Sequence, residues 1–516
     1  MRSSLGAAPV SGVRAPARFD LGDRLGWNVF VPVLTAVAAV IVGYGVSTGS
    51  TKIVAAPIAL FGFLVISATT WMPYAVVLLV AATFAEPYAY PQLSFAGINP
   101  FLSELVLGLA IVAALYTAFG RRFSTTAAAA GSKVVSTSLA VYLVAALLGI
   151  GVGLSNGVKL FGTLTQVRET AFFATFWLAL LALRTPSSRA RLFWIMATLS
   201  VAVVALQVAQ VLIGPGHVLF YTKDPTINLI TCPTGQCADV AQAGFSGLIR
   251  VRPPGLPLVY VVAAFAACYV LFGPRKRRGA ALTLFFVCLA GLVVSLTRDL
   301  LIGLVLGLAV AFFISPRKSR LLAALIGVAA VVVALVVVSQ GGALHSAKPV
   351  LSRFSTVTNP SAVRSEASLK HRSFENHLAF QAIRASPIEG IGWGTSYGMT
   401  EPVVVRGQTI GQADQPFIHN FYLGLWMRTG LLGLVAYLTA VIAAFVYGVR
   451  WCRRRRWDDQ SWLGAAVVSS IVAVSTSAVV NVGSDAQKIV PFMVVLALAV
   501  TLRRGLPEAR ASTDRG

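Results

Sequence analysis

The stretch SLTRDLLIGLVLGLAVAFFISPRKSRLLAALIGVAAVVVALVVV, residues 295–338, decides the fold class. Two uncharged apolar runs, at about 300–315 and 321–339, flank a short turn that carries Arg317, Lys318 and Arg320. Each run is long enough, or nearly so, to cross about 30 Å of hydrocarbon as a helix. A helix on the surface of a soluble protein has a polar face, and neither run has one. A basic turn between two such runs is the positive-inside pattern of a membrane protein.

The same reading extends along the chain. Further apolar runs lie at about 29–48, 53–68, 71–84, 99–118, 139–154, 169–183, 191–213, 257–273, 281–296, 421–449, 461–481 and 488–502. The fold class is therefore all-α: a polytopic transmembrane bundle of about 14 helices. Composition agrees, since the 516 residues are 57% hydrophobic and only 12% charged, with a mean hydropathy of +0.78. Soluble domains carry about 25% charged residues. The net charge of +24 would suggest nucleic acid in a soluble protein. Here the basic residues sit in short runs between spans, as in Arg275 to Arg278 and Arg453 to Arg456, so no nucleic-acid partner is implied.

Charge also tests the topology. With the N-terminus inside and strict alternation, inner segments hold 26 Lys/Arg against 6 Asp/Glu, and outer segments and outward helix ends hold 16 against 12. The first apolar run reads as a retained helix rather than a signal peptide, because no small-residue cleavage site follows it. The resulting plan is a cytoplasmic tail (1–28), a first transmembrane part (29–339) with an outer loop at 214–256, a large outer loop (340–420), C-terminal transmembrane helices (421–502) and a cytoplasmic tail (503–516). Arg outnumbers Lys 33 to 9, which with the abundant Ala, Val and Gly points to a GC-rich bacterial genome.

A loop as long as 340–420 without a span is uncommon unless functional or disordered. This one carries helix signals. Ser368 is placed to cap a helix in which Phe374, Leu378 and Ala382 recur every four residues and share a face. Pro387 ends it, and Glu389-Gly390-Ile391-Gly392-Trp393-Gly394 reads as a turn. Such a helix suits the membrane surface. In the first outer loop, Cys232 and Cys237 lie close enough in sequence to form a disulfide outside a bacterial membrane; two cysteines are too few for a closed protein zinc site.

All five histidines fall on the predicted outer side. His419 precedes Asn420 at the start of the span that begins at Phe421. Two readings stand there: a neutral imidazole that accepts a proton, or an interfacial residue whose neighbour Asn420 merely caps the helix. Arginines are the second signal. Arg298 lies in a polar break between two spans, Arg372 on the loop helix, and Arg250 and Arg252 before Pro253. Guanidinium groups bind oxyanions through forked hydrogen bonds, although each of these could instead anchor a headgroup or pair with an acid, as Arg298 with Asp299. Arg428 and Glu104, both below the outer ends of their helices, are placed to pair with each other inside the bundle. A Walker A sequence and a Gly-x-Ser-x-Gly elbow are lacking, and no outer loop holds a close pair of acids suited to a divalent metal.

Three pieces, in this order, resemble the O-antigen ligase and polymerase superfamily. They are Ser295-Leu296-Thr297-Arg298-Asp299; Arg372 followed by Ala385-Ser386-Pro387-Ile388-Glu389-Gly390-Ile391-Gly392-Trp393-Gly394; and His419-Asn420-Phe421-Tyr422-Leu423 running on to Gly430-Leu431-Leu432-Gly433-Leu434. The resemblance implies a metal-independent, inverting glycosyltransferase of the bacterial cytoplasmic membrane, with its active site on the extracytoplasmic side and no cofactor. Its donor is a glycan on a polyprenyl diphosphate, and its acceptor is a hydroxyl of another glycan, a lipid or a protein. It implies His419 as base and Arg298 and Arg372 as diphosphate ligands, with Asn420 and Asp485 in support; Arg252 joins the diphosphate ligands on its guanidinium chemistry alone. Thr297 departs from the family's usual Ser before the arginine. Ligase and polymerase activities stay open. A flippase or transporter is the competing class, although the two halves show no repeat of the kind such proteins carry; a non-catalytic assembly scaffold is the third.

Overall fold

The computed structural model of the chain describes residues 103–104, 106–108, 110–111, 133–183, 186–213, 229–230, 250–251, 253, 255–295, 297–315, 367–398, 403–405, 408–410, 418–454, 460–480 and 486–504. The spans expected at 29–48, 53–68, 71–84 and 321–339 lie outside these residues, as do most of 99–118, the greater part of both outer loops, Arg252, Asp485, the Cys232–Cys237 pair and the side chain of Arg298. The count of about fourteen spans therefore rests on the sequence.

The described chain is helical apart from two minimal two-stranded ribbons. Its helices are α1 (Lys133–Ser155), α2 (Leu160–Val167), a 3₁₀ segment (Arg168–Ala174), α3 (Thr175–Ala182), α4 (Pro186–Ile213), α5 (Leu256–Phe272), α6 (Arg278–Val294), α7 (Arg298–Ile314), α8 (Ala367–Ala385), α9 (Phe421–Arg454), α10 (Ser461–Val480) and α11 (Ala486–Arg504). The ribbons pair β1 (Leu229–Ile230) with β2 (Arg250–Val251), and β3 (Val403–Val405) with β4 (Gln408–Ile410), both antiparallel. Five helical stretches are long and apolar enough to cross a membrane, and α5, α7 and α11 add shorter apolar helices. This is a multi-pass membrane protein.

Small residues let the helices approach closely, as packing in lipid requires. On α7, a Cβ at Gly303 would collide with the Tyr260 hydroxyl and the Ala473 carbonyl, and one at Gly307 with the Ser469 carbonyl. The resulting α7–α10 contact is the most extensive among the described helices.

Hydrogen bonds sort the helix ends. The Gly255 N–H, before α5, donates to Gln487 Oε1 at the start of α11 (3.2 Å). Ser477 Oγ, near the end of α10, donates to Asp299 Oδ2 at the start of α7 (2.6 Å). The Tyr422 hydroxyl, at the start of α9, donates to the Ser475 carbonyl (3.0 Å). Thus α5, α7, α9 and α11 begin where α10 ends. The opposite ends of these helices carry Arg275 to Arg278, Arg453, Arg454, Arg503 and Arg504. Two contacts join elements at that basic end: Tyr269 with Trp462 (ring centroids 4.8 Å apart), and Arg277 over the Trp194 ring at 5.8 Å.

Candidate functional site

At the end away from the basic clusters, α9 starts with an Asx cap. Asn420 Oδ1 accepts from the N–H groups of Tyr422 (3.1 Å) and Leu423 (3.2 Å), satisfying two donors that a helix N-terminus leaves open. The cap fixes the chain just before it. Ile418 is buried, and the half-exposed His419 places Nδ1 2.8 Å from Oε2 of Glu375. Glu375 has no solvent exposure at all. An ionised carboxylate only accepts, so this contact puts the hydrogen on Nδ1. In that tautomer Nε2 is the ring nitrogen without a hydrogen.

Glu375 comes from α8. The sequence placed Phe374, Leu378 and Ala382 on one face; in the structure the buried face is centred one residue on, at Glu375, Ala379 and Ile383. Leu378 and Ala382 are only partly covered, against the same cluster of Tyr397, Ile418, Leu423 and Met427. The stripe centres on Glu375 because the helix docks on α9, where His419 takes the carboxylate. Arg372 is half-buried three residues before Glu375, a spacing that makes the two neighbours on the helix surface.

The glycine-rich turn after α8 anchors this arrangement. Helix α9 breaks at Gly430 (φ 66°, ψ −173°), and the turn fills the break. The Met427 carbonyl accepts from the N–H groups of Ile391 (2.6 Å) and Gly392 (3.2 Å), and the Leu431 N–H donates to the Ile388 carbonyl (3.0 Å). On its other side the turn grips α1: the Trp393 N–H donates to the Gly149 carbonyl (3.0 Å), its indole N–H to the Ala146 carbonyl (3.0 Å), and Asn156 Nδ2 to the Ile391 carbonyl (2.9 Å). Gly392 has φ 79°, and a Cβ there would strike the Gly153 backbone nitrogen, so glycine is required. Residues read in sequence as a turn of the large outer loop are wedged between α1 and α9.

The expected Arg428–Glu104 pair does not form. Glu104 meets Arg168 of the 3₁₀ segment at 3.4 Å. Arg428, 5% exposed, donates to Gln166 Oε1, and its guanidinium lies 5.6 Å from the centre of the Trp393 ring, within cation–π range. The wedged turn brings Trp393 against this part of α9, and Arg428 stacks on it. Gln166 also accepts from the Gly394 N–H (3.0 Å), so one amide ties α2, the turn and α9 together. Tyr397, past the turn, is 8% exposed. Burial first, and then the charge of Glu375, push its phenol above the ordinary value, while Arg428 pulls the other way; the phenol stays protonated at neutral pH.

Among the sequence-derived site residues, the fold brings His419, Asn420 and Arg372 together around Glu375. It also brings the backbone of Arg298 to the same end. Ser475 and Ser477, one turn of α10, bond Tyr422 and Asp299 respectively, so the starts of α7 and α9 flank one helix turn. Asp299 is thereby seen with Ser477, not only as the expected partner of Arg298. Between these helix starts lies a small, largely apolar pocket, with Leu300, Phe421, Pro257, Ser477 and Lys488 in its lining.

Glu375, Tyr397 and Gln166 were not singled out in the sequence. A signal existed for the first: it is the sole acid in α8, and it stands at i, i+4, i+8 spacing with Ala379 and Ile383, in an apolar stripe where a charge needs a partner.

These features define a polytopic membrane protein with a carboxylate-held imidazole at one end of its bundle. Residues 283–438 match the model of the O-antigen ligase family, a similarity of this part of the chain that supports an O-antigen ligase- or polymerase-family role. The matched segment holds Arg298, Arg372, Glu375, Tyr397, His419 and Arg428; Arg252 and Asp485 lie outside it. No curated protein sequence matches the chain.

Proposed function

We propose that the protein is a glycosyltransferase that moves a glycan from polyprenyl diphosphate to an acceptor hydroxyl at the extracytoplasmic face of the bacterial cytoplasmic membrane, in cell-surface polysaccharide synthesis. The observation that carries this reading is the 2.8 Å contact between His419 Nδ1 and the buried Glu375. It leaves Nε2 as the basic nitrogen, at the bundle end opposite the arginine clusters that the positive-inside rule assigns to the cytoplasm.

The chemistry needs little else. An alcohol is a weak nucleophile until its proton is accepted. Nε2 takes that proton as the acceptor oxygen bonds to the anomeric carbon and the bond from that carbon to the diphosphate oxygen breaks, with inversion. The electron pair leaves on the diphosphate, and its growing charge is met by Arg372 and Arg298. The transfer energy is already stored in the donor, so no nucleotide and no metal are called for. Arg252 is read as a further diphosphate ligand, and Asn420 and Asp485 as supporting residues.

His419→Ala tests the reading. Loss of a positioned base costs about 10²- to 10⁴-fold, so cells carrying the variant at normal expression should accumulate lipid-linked donor and lose the transferred glycan. Unchanged glycan amount and length would remove the transferase assignment and return the protein to the flippase or scaffold classes. The length of the glycan separates the two transferase types. A ladder that collapses to one repeat without the protein marks a polymerase; full-length glycan left on its lipid marks a ligase.

A further inference from the structure

We propose that the outward face of α8 binds the glycan of the substrate, with Phe380 stacked on a sugar ring and His377, Gln381 and Arg384 holding its hydroxyls. The inference rests on the transferase reading and gives the sugar chain its place on the protein.

Helix α8 turns its apolar stripe inward. Ala379 and Ile383 pack with Leu423 and Met427 of α9, while Phe421 and Leu425, from the same stretch of α9, belong to the core of the bundle. The start of α9 is thus sandwiched, and the opposite face of α8 points away from the bundle. Ser373, His377, Phe380, Gln381 and Arg384 are exposed there, within about a third of the helix circumference. Phe380, 47% exposed, is the only large apolar side chain among them, too little for a helix face that lies in lipid. Planar polar groups surround it. Gln381 Nε2 lies 3.0 Å from His377 Nε2. An amide nitrogen only donates, so the imidazole accepts and carries its hydrogen on Nδ1. That leaves the His377 Nδ1–H as a donor and Gln381 Oε1 as an acceptor for a ligand. Arg384 has no carboxylate within ion-pair distance among the described residues, and the sole acid of α8 is the buried Glu375. Such a face is complementary to a pyranose. The C–H groups of the sugar lie on the electron-rich face of the aromatic ring, and its neighbouring hydroxyls exchange hydrogen bonds with amide, imidazole and guanidinium.

The face is continuous with the site. Arg372, Asn376, Phe380 and Arg384 follow one another at intervals of four, which makes them one ridge of the helix. The ridge starts at the half-buried Arg372, three residues from Glu375, passes the half-buried Asn376 and winds out to the exposed Phe380 and Arg384, about 18 Å along the axis. In the donor the glycan is joined directly to the diphosphate read as the ligand of Arg372. A sugar chain leaving that group meets Asn376 and Phe380 next.

The test uses the purified full chain in lipid nanodiscs and two probes from cells that lack the protein: their lipid-linked glycan as donor, and the free oligosaccharide released from it by mild acid. Saturation-transfer NMR reads binding of the oligosaccharide, and turnover of the donor gives kcat and KM. Phe380→Ala should weaken binding and raise KM about tenfold, the effect of losing an aromatic platform, with kcat within about twofold, as for an interaction made equally in ground and transition states. Arg384→Gln should raise KM about threefold, the loss of hydrogen bonds to the sugar. Absence of oligosaccharide binding to the unaltered protein, or full binding and unchanged KM in Phe380→Ala, would overturn the proposal. So would an effect of Phe380→Ala seen only with phosphatidylglycerol in the nanodisc, which would assign the face to lipid. His419→Ala separates the two claims. If it retains transfer, the base assignment falls, whatever the oligosaccharide does; if it is inactive while Phe380→Ala binds and turns over as before, this inference alone falls.

Discussion

Helix α9 carries the same residue type in two settings. Near its start Arg428 is 5% exposed, tied to Gln166 and stacked on Trp393. At its other end Arg453 and Arg454 are exposed. The contrast holds for the whole bundle. One end gathers arginines in short runs that water and headgroups can solvate, and these set orientation. The other also has charges drawn into protein: Glu375 by His419, Arg428 by Gln166 and Asp299 by Ser477. Charge near hydrocarbon is costly, so the two ends differ in whether solvent or a protein partner holds the charge.

The largest contrast concerns sidedness. In a variant without native cysteines, a cysteine replacing the 72%-exposed Ile388 should react with a membrane-impermeant maleimide in intact cells, and one replacing Arg454 should react only after lysis. The reverse pattern would invert the topology and place the imidazole in the cytoplasm. A smaller effect separates charge from shape at the site end. Arg372→Lys keeps the cation and loses the forked donors, and about tenfold slower transfer is expected; full activity would remove Arg372 from the diphosphate site. The smallest effect belongs to the basic end. Arg453→Gln with Arg454→Gln should leave transfer per folded molecule within about twofold, in line with exposed substitutions away from special features. A larger loss of turnover would erase the distinction between the ends.

Much of the bundle was legible because hydrophobicity is a local property. The runs read at 191–213, 257–273, 281–296, 300–315 and 461–481 coincide within a few residues with α4, α5, α6, α7 and α10. The loop helix and its stop before Pro387 were legible for the same reason, since cap and proline signals act over a few residues. The segment from 155 to 183 was not. A loop followed by one span was expected, whereas α2, a 3₁₀ segment and α3 follow one another, with Thr163 and Val167 buried. Partner choice was also hidden. Arg428 and Glu104 sit at plausible depths for each other, but the glycine turn that docks into the α9 break puts Trp393 beside the guanidinium, and Arg168 takes the acid. His419 was visible as a polar residue at a span boundary. Glu375 was not, because its role depends on the one-residue rotation by which α8 docks, and periodicity alone does not fix that rotation.

The central claim is that His419 and Glu375 act as one unit, and a double-mutant cycle on transfer tests it most directly. Glu375→Ala alone should slow transfer by about 10²-fold, as befits a group that orients and charges a base. Residues that act as a unit are strongly non-additive, so Glu375→Ala combined with His419→Ala should be no slower than His419→Ala by itself. Multiplying losses in the double variant would show that the carboxylate and the imidazole work independently and would contradict the account.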